Sequence, residues 1–272
     1  MPLDVVSRSH PGIVRSHNED AVFVDGTVGL AVLADGMGGY NAGEVASGIA
    51  VEVISKGMLA ELKSGRELVK IDVDTGLSHA ALLLRQQIAV ANSEIYRAAQ
   101  ARPECAGMGT TIVAAVFCGN RASIGHIGDS RCYRLRAGKF ERLTRDHSLL
   151  QEQIDSGMLS PERARYSLNK NLVTRALGIE EVAPADVAEY RLEADDVFLF
   201  CSDGLTDMVD DDAIGAVIGG NRDDLSLAAG ALIDLANRNG GRDNVSVVLV
   251  HVPSGFLPQL GWVQRWRAKV NG

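Results

Sequence analysis

The chain has 272 residues, of which 46% are hydrophobic and 23% are charged. This composition is ordinary for a soluble globular protein and argues against intrinsic disorder, collagen-like repeats and coiled coils. The net charge of −8 argues against nucleic-acid binding, which needs clustered lysine and arginine. Because no signal peptide and no apolar run of about 18 residues is present, we expect a cytoplasmic protein without stable membrane insertion.

The first predicted elements are one strand and two helices. The apolar run over residues 28–34 ends at Asp35-Gly36, which is typical of a buried strand that stops in a turn. Apolar residues then recur every four positions, and a longer series with a four-three step runs from Leu77 to Ala98. Both spacings predict amphipathic helices. The repeating positions of the first helix are Val45, Ile49 and Val53.

The second half predicts an antiparallel meander, then two strands around a helix. The meander of three or four strands occupies residues 110–144, and its turns are too short for parallel crossovers. Residues 147–172 are polar and irregular, so we expect a mobile flap or a small helical insertion. Strands over 197–202 and 244–252 bracket a helix over 225–239. This order predicts an α+β fold with mainly antiparallel sheets, in one domain over residues 1–252 followed by a tail over 253–272.

Four aspartates lie at predicted strand ends or turns. Asp35 and Asp203 each follow an apolar run and precede glycine, Asp129 occupies a hairpin turn, and Asp243 directly precedes the last strand. If these ends meet at one edge, the carboxylates repel one another unless a divalent cation neutralises them. Each Asp-Gly alone is equally typical of an ordinary turn. Without paired cysteines or histidines, the hard oxygen ligands favour Mg²⁺ or Mn²⁺ over zinc.

The spacing of the glycines and cysteines excludes several other kinds of site. The glycines after Asp35 lack the third glycine of a dinucleotide-binding loop and the lysine of a phosphate-binding loop. None of the four cysteines precedes an arginine by six positions, as a cysteine phosphatase requires, and their separation predicts buried free thiols. His126 lies in a strand-like run and is interpreted as a core or sheet histidine and not as a catalytic base.

Eight short motifs occur in order along the chain: RSHNED (15–20), ADGMGG (34–39), GTT (109–111), IGDSR (127–131), TRDHS (144–148), TRALG (174–178), CSDGLTD (201–207) and GRDNVSV (241–247). Together they resemble the type 2C family of metal-dependent serine/threonine protein phosphatases in its compact bacterial form. The resemblance extends to about residue 250. It implies a four-layer α-β-β-α sandwich, in which two antiparallel sheets are flanked by helices and carry a flap subdomain.

The resemblance implies a site that holds two Mn²⁺ or Mg²⁺ ions, with a third, weaker one beside the flap. Asp35 would bridge the two ions, Asp203 and Asp243 would complete the first site, and the Gly36 carbonyl would serve the second. Glu19 and Asp20 would hold metal-bound waters. Asp129 and Asp207, together with Asp203, would hold the third ion. Arg15 would bind the substrate phosphate. Asn244 is interpreted as supporting polar structure.

The implied reaction is direct attack on phosphoserine or phosphothreonine by a water or hydroxide that the two ions activate. Arg15, Asp35, Asp203 and Asp243 would be the catalytic residues. The implied partners are phosphorylated proteins and a bacterial serine/threonine kinase that the enzyme opposes, and the implied state is a monomer. Two alternatives stay open, namely a non-catalytic scaffold that binds phosphoproteins and a small-molecule phosphomonoesterase with the same metal site.

The chain departs from the family pattern at two places. Met37 follows the Asp-Gly, where eukaryotic relatives carry a histidine proposed as general acid, and Tyr40 replaces a histidine of many bacterial relatives. The general acid is therefore unassigned. In the flap, Tyr166-Ser167-Leu168 stands where relatives often have His-Pro, which predicts a different choice of substrate.

Overall fold

The computed structural model describes residues 1–39, 42–64, 67–160, 163 and 172–256. One antiparallel sheet contains, in spatial order, β1 (Asp4–His10), β11 (Val245–His251), β10 (Val197–Cys201), β7 (Arg131–Arg136) and β8 (Lys139–Arg142). The second contains β2 (Asp20–Asp25), β3 (Leu30–Met37), β5 (Ile112–Cys118), β6 (Arg121–Ile127) and β9 (Asp186–Arg191), and the short β4 (Gly109–Thr110) also pairs with β3.

Two groups of helices cover the outer faces of these sheets. The helices are α1 (Ala42–Lys63), α2 (His79–Ala101), α3 (Leu149–Asp155), α4 (Asp203–Thr206), α5 (Asp211–Gly220) and α6 (Leu225–Arg238), with a 3₁₀ turn at Pro103–Cys105. Helices α1 and α2 pack on the β3–β5 sheet, while α5 and α6 pack on the β10–β11 sheet. Among the described residues, no helix is both long and apolar enough to cross a lipid bilayer.

Three apolar clusters hold the four layers together. One lies between α1, α2 and their sheet, and a second lies between α5, α6 and the other sheet. The third lies between the sheets, where Phe117 meets Phe198 edge to face at a centroid distance of 5.2 Å. The predicted α-β-β-α sandwich is therefore confirmed, and apolar burial on both faces of each sheet explains the continuous apolar runs in the sequence.

The predicted strands over 28–34, 110–144, 197–202 and 244–252 and the three predicted helices are all present. In α1 the fully buried stripe is Ala46, Ala50 and Ile54, and the predicted Val45, Ile49 and Val53 are only partly buried beside it. Small residues face the sheet because α1 packs closely against both β3 and α2. The described part of the predicted flap begins with α3, whereas Tyr166-Ser167-Leu168 and most of the tail lie outside the described residues.

The cysteines are free thiols, as predicted. Cys105, Cys132 and Cys201 are buried, and Cys118 is partly exposed. Burial raises the pKa of the Cys118, Cys132 and Cys201 thiols, which keeps these groups protonated near neutral pH. None of these three therefore has the character of a thiolate nucleophile.

Candidate active site

The sheet topology brings the predicted carboxylates to one edge of the sandwich. Asp20 at the start of β2 lies directly opposite Asp35 near the end of β3. Asp203 follows β10, and Asp243 precedes β11, the strand that pairs with β10. Asp35 is close enough to Asp20, Asp203, Asp129 and Asp243 for their charges to raise its pKa. The two sheets thus contribute carboxylates to a single acidic centre.

Without a bound cation, ionisation of the carboxylates in this centre is unfavourable. Burial, followed by the neighbouring carboxylates, raises the pKa of Asp35 and Asp203 well above the ordinary value. Burial also raises the pKa of Asp20 and of Asp129 to about 6. An opening leaves Asp35 and Asp203 in partial contact with solvent, so ions and water can reach them. A carboxylate cluster of this kind favours a divalent cation, which would restore ordinary ionisation.

One atom shows that the centre fits a cation. Asp20 accepts a hydrogen bond at Oδ2 from the Ser202 hydroxyl (2.9 Å), but no donor among the described residues reaches its buried Oδ1. A buried carboxylate oxygen without a donor is costly unless water or a metal ion satisfies it. The donor set consists of carboxylate and carbonyl oxygens, the ligands that Mg²⁺ and Mn²⁺ prefer. The residues present therefore fit the metal ions expected from the sequence.

Close backbone packing explains the glycines at this site. A Cβ on Gly36 would lie 2.2 Å from the carbonyl oxygen of Gly43 and 2.6 Å from that of Glu19. A Cβ on Gly43 would lie 2.8 Å from the Glu19 carboxyl oxygen Oε1. The end of β3, the start of α1 and the Glu19 loop thus meet at distances that exclude side chains. Tyr40, the other residue singled out in this turn, lies outside the described residues.

The loop before β2 places Arg15 and Glu19 beside the acidic centre. Arg15 Nη2 donates to Asp243 Oδ2 (2.8 Å), and the arginine side chain is 52% exposed, so its remaining donors can reach a ligand. Burial raises the pKa of Glu19, and the Arg15 charge opposes that rise. These positions agree with the predicted site, although the roles of the residues stay predictions.

Asn244 holds this loop by three hydrogen bonds. Its Nδ2 donates to the carbonyls of Pro11 (3.0 Å) and His17 (2.8 Å), and its Oδ1 accepts from the Glu19 amide (2.7 Å). The supporting role interpreted from the sequence is therefore specific: Asn244 anchors the segment that carries Arg15. The sequence could not show this, because the partners lie more than 220 residues apart along the chain.

On the flap side, Asp129 is 8% exposed and lies near Asp203 and Asp207. Arg131 donates from Nε and Nη2 to the Asp146 carboxylate, at 3.0 and 2.7 Å to the nearer oxygens. This buried pair was not singled out in the sequence, although IGDSR and TRDHS contain its two members. It joins the Asp129 turn to the base of the flap.

Taken together, all nine predicted site residues lie at or beside the acidic centre.

A cavity of about 530 Å³ opens from the acidic centre toward the flap. Asp129, Asp203 and Asp207 are among the residues that line it. Leu150 and Ile154 of α3 also line it, as does the segment that leads from α4 into α5. The cavity offers room for a phosphorylated side chain and part of the polypeptide that bears it.

Comparison with known proteins identifies the family. The family model of protein phosphatase 2C matches residues 13–218. This chain belongs to the protein phosphatase 2C family. It is 37% identical over 250 residues to the serine/threonine protein phosphatase PstP of Mycobacterium tuberculosis, covering 92% of this chain but 45% of PstP. The chain thus spans about half the length of that relative.

Two further comparisons cover nearly the whole of the related protein. The serine/threonine phosphatase stp of Listeria welshimeri is 37% identical over 246 residues, covering 89% of this chain and 93% of stp. The solved structure of the PstP catalytic domain with two manganese ions has a TM-score of 0.78 and 37% identity, covering 93% of this chain and 99% of that one. The family resemblance predicted from the eight motifs is confirmed.

Proposed function

We propose that this 2C-family protein hydrolyses phosphoserine and phosphothreonine in phosphoproteins, using two Mn²⁺ or Mg²⁺ ions. The observation that carries the proposal is the acidic centre itself, in which a buried Asp20 oxygen without a donor and several carboxylates with raised pKa favour bound cations and their water ligands. The relatives named as serine/threonine phosphatases, and the PstP structure with two manganese ions, support the same reaction and cofactor. A bacterial serine/threonine kinase, whose products this enzyme would dephosphorylate, is the proposed counterpart.

The proposed division of labour follows the geometry. Asp35, Asp203 and Asp243, with the Gly36 carbonyl, hold the two ions, and Glu19 and Asp20 accept hydrogen bonds from water around them. When bound, the ions supply Lewis acidity, which lowers the pKa of a water molecule and offsets phosphate charge. Asp129, Asp203 and Asp207 hold the third, weaker ion. The chain retains this whole ligand set, which favours catalysis over a purely phosphoprotein-binding role.

Arg15 binds the substrate phosphate in this proposal. Its planar guanidinium carries several donors in a fixed orientation that matches phosphate oxygens. The bond to Asp243 uses Nη2 and holds the side chain beside the acidic centre, and the half-exposed guanidinium keeps further donors for a ligand. The thiols of Cys132 and Cys201 are buried and their pKa is raised, so neither is suited to act as a nucleophile. In this proposal the nucleophile is water, and no phosphoenzyme forms. The cytoplasmic location and the monomeric state stay predictions.

The direct test is phosphate release from a phosphothreonine peptide by protein stripped with EDTA and then titrated with Mn²⁺. We expect no release without metal and turnover that saturates as Mn²⁺ is added. p-Nitrophenyl phosphate serves as a second substrate. Activity on this ester alone would favour the small-molecule phosphomonoesterase, and bound Mn²⁺ without release from either substrate would contradict the proposed reaction.

The Arg15→Ala substitution is expected to lower kcat/KM for the phosphopeptide by about 10–100-fold, mostly through KM. This range corresponds to the loss of one charge-assisted contact to phosphate, about 1.5–3 kcal/mol. Steady-state kinetics with saturating Mn²⁺ measure the effect. The matched control is Arg97→Ala, which removes an exposed α2 arginine paired with Glu94 and should leave kcat/KM unchanged. Equal loss in both variants would show that Arg15 acts only through general charge.

The metal-free protein is expected to lose stability as the pH rises from about 4 to 6.5. Asp20 and Asp129 have a pKa of about 6 in the folded chain, against an ordinary value of 3.8. Within this window the unfolded chain has released protons that the folded chain retains, so rising pH favours unfolding. We expect the free energy of unfolding in EDTA to fall by about 4–5 kcal/mol, roughly half of it from each group.

Urea unfolding at several pH values, in EDTA and in Mn²⁺, measures this dependence. Mn²⁺ should remove the decline because it keeps the carboxylates ionised in the folded state. The Asp129→Asn variant should show a shallower decline in EDTA than the parent protein, since it lacks one of the titrating groups. Identical slopes for parent and variant would contradict the assignment of the decline to this centre.

A further inference from the structure

His147 uses every polar atom it has to join three segments. Its amide donates to the Gly128 carbonyl (2.9 Å), and the Gly128 amide donates back to His147 Nδ1 (3.1 Å). The His147 carbonyl accepts from the Thr174 amide (2.8 Å), and Nε2 lies 3.2 Å from Asp186 Oδ2. The imidazole is only 3% exposed. His147 thus connects the Asp129 turn, both ends of the flap and the start of β9: its side chain bonds Gly128 and Asp186, and its backbone bonds Gly128 and Thr174.

These contacts fix where the imidazole proton lies. Because the Gly128 N–H donates to Nδ1, that nitrogen must carry a lone pair, and Nε2 must carry the proton that is donated to Asp186. Burial lowers the pKa of His147, which favours this neutral form. The tautomer is therefore set by the protein and matches both partners at once.

The same contacts argue against a transition-metal site here. One ligand atom each of His126, His147 and Asp186 lies within 4.8 Å of the others. However, the two imidazoles are stacked at 4.7 Å and are only 20° from parallel, so their nitrogen lone pairs cannot converge on one ion. His126 Nε2 also donates to the Arg145 carbonyl (2.8 Å), and His147 Nε2 is protonated. The cluster is organised by hydrogen bonds and not as a set of free ligands.

Gly128 is the point at which this network reaches the acidic centre. It directly precedes Asp129 and has a φ of +103°, which favours glycine. A Cβ at this position would lie 2.6 Å from the side chain of Thr111. The backbone amide of Thr111 donates in turn to the Asp35 carbonyl (2.9 Å). Gly128 is thus packed against Thr111 and hydrogen-bonded on both backbone groups to His147. The backbone that presents Asp129 has little freedom to move without breaking these bonds.

We propose that His147 is a positioning residue for the third ion: it holds the Gly128–Asp129 backbone and couples it to the base of the flap. The inference rests on the proposed function, because it assigns Asp129 to that ion. His147 itself would touch neither ion nor substrate. Partners that orient the groups around a metal typically change metal affinity by 10–100-fold when they are lost. Movement of the flap base and occupancy of the third site are then linked through this residue.

A pair of substitutions separates the two side-chain contacts of His147. In His147→Asn, the amide oxygen can occupy the Nδ1 position and accept from Gly128, but the side chain is too short for Asp186. In His147→Gln, the amide nitrogen can reach Asp186, but no acceptor remains for the Gly128 amide. We expect the Gln variant to weaken the weakest Mn²⁺ site by about tenfold or more, and the Asn variant to remain within about threefold of the parent.

The primary readout is Mn²⁺ binding to the whole chain, followed by the electron paramagnetic resonance signal of free Mn²⁺. The two tighter ions should bind normally in both variants, and Asp186→Asn should bind all ions as the parent does. Equal weakening in the Asn and Gln variants, or none in either, would overturn the proposal. Parent protein that binds Mn²⁺ but hydrolyses no phosphoester would contradict the proposed function alone, because these isotherms do not depend on turnover.

A measurement on the parent protein covers the case in which the Gln variant does not fold. Hydrogen exchange of the Gly128, His147 and Thr174 amides can be followed by nuclear magnetic resonance during titration with diamagnetic Mg²⁺. If His147 couples the flap base to the third site, exchange at all three amides should slow together as that site fills. Slowing at Gly128 without any change at Thr174 would overturn the coupling.

Discussion

The Asp203→Asn variant is expected to lose at least a factor of about 1,000 in kcat for phosphoester hydrolysis, which corresponds to about 4 kcal/mol. Asparagine keeps the shape of the side chain but lacks the negative charge with which Asp203 would hold a cation. Turnover of the phosphothreonine peptide at saturating Mn²⁺ measures the loss. Retention of activity within tenfold of the parent protein would contradict the role of Asp203 as a metal ligand.

The same substitution is expected to stabilise the metal-free protein. Burial and the charges of Asp129, Asp207 and Asp243 raise the pKa of Asp203, so its ionised form is unfavourable without a cation. A neutral amide removes this repulsion, and we expect the unfolding midpoint in EDTA to rise by about 3–6 °C. The matched control is Asp234→Asn on the exposed face of α6, which should change neither turnover nor stability. A lower unfolding midpoint for Asp203→Asn would show that groups of the protein itself stabilise the Asp203 carboxylate in the absence of metal.

The Gly36→Ala variant is expected to lose about 3 kcal/mol or more of stability together with Mn²⁺-dependent activity. The added Cβ would meet two backbone oxygens, those of Gly43 and Glu19, and backbone atoms yield far less readily than a side-chain tip. Relief of the contact must separate β3 from the start of α1, which displaces Gly36 and Asp35 from the acidic centre. Thermal unfolding should show a decrease of about 6–12 °C.

Gly48→Ala provides the control for this change. Gly48 lies inside α1, and apart from its chain neighbours and the nearby backbone of the helix itself, no atom of the described residues comes within 4 Å of a Cβ placed there. Alanine at an open helical position is expected to stabilise the protein by about 0.5–1 kcal/mol. Opposite signs for the two glycines would attribute the cost at position 36 to the close backbone approach. A decrease of similar size at both positions would contradict that explanation.

The acidic centre was predictable because its aspartates follow simple local rules. Asp35 and Asp203 end apolar runs, and strands of a layered fold carry the residues at their ends to a common edge. Periodicity alone left each Asp-Gly open to interpretation as a turn, and the order of eight motifs resolved the ambiguity. The Asn244 anchor and the Arg131–Asp146 pair depend on contacts across the fold, so no local pattern reports them.

Three strands were not predicted, and all three lie at sheet edges. The strands β1, β2 and β9 are each paired on one side only, and most of their residues are partly or fully exposed. Edge strands need fewer apolar residues, so their hydrophobic signal is weak. The short helix α5 was missed for a related reason, because only Ile214 and Ile218 of its ten residues are buried. Pairing with the rest of the sheet, and not local sequence, determines these elements.

The pairing of β1 with β11 sets the order in which the protein can assemble during translation. Asp4 lies opposite His251, so the first strand has no partner until residues 245–251 have left the ribosome. The loop that carries Arg15 and Glu19 is also without its anchors until then, because it is held by hydrogen bonds to Asp243 and Asn244. The sheet of β2, β3, β5, β6 and β9 needs no residue after Arg191, whereas the sheet that contains β1 cannot be complete before β11 emerges. A ribosome-bound intermediate lacks the contacts that hold Arg15 beside Asp243, so under the proposed function we expect phosphatase activity only after synthesis has passed β11.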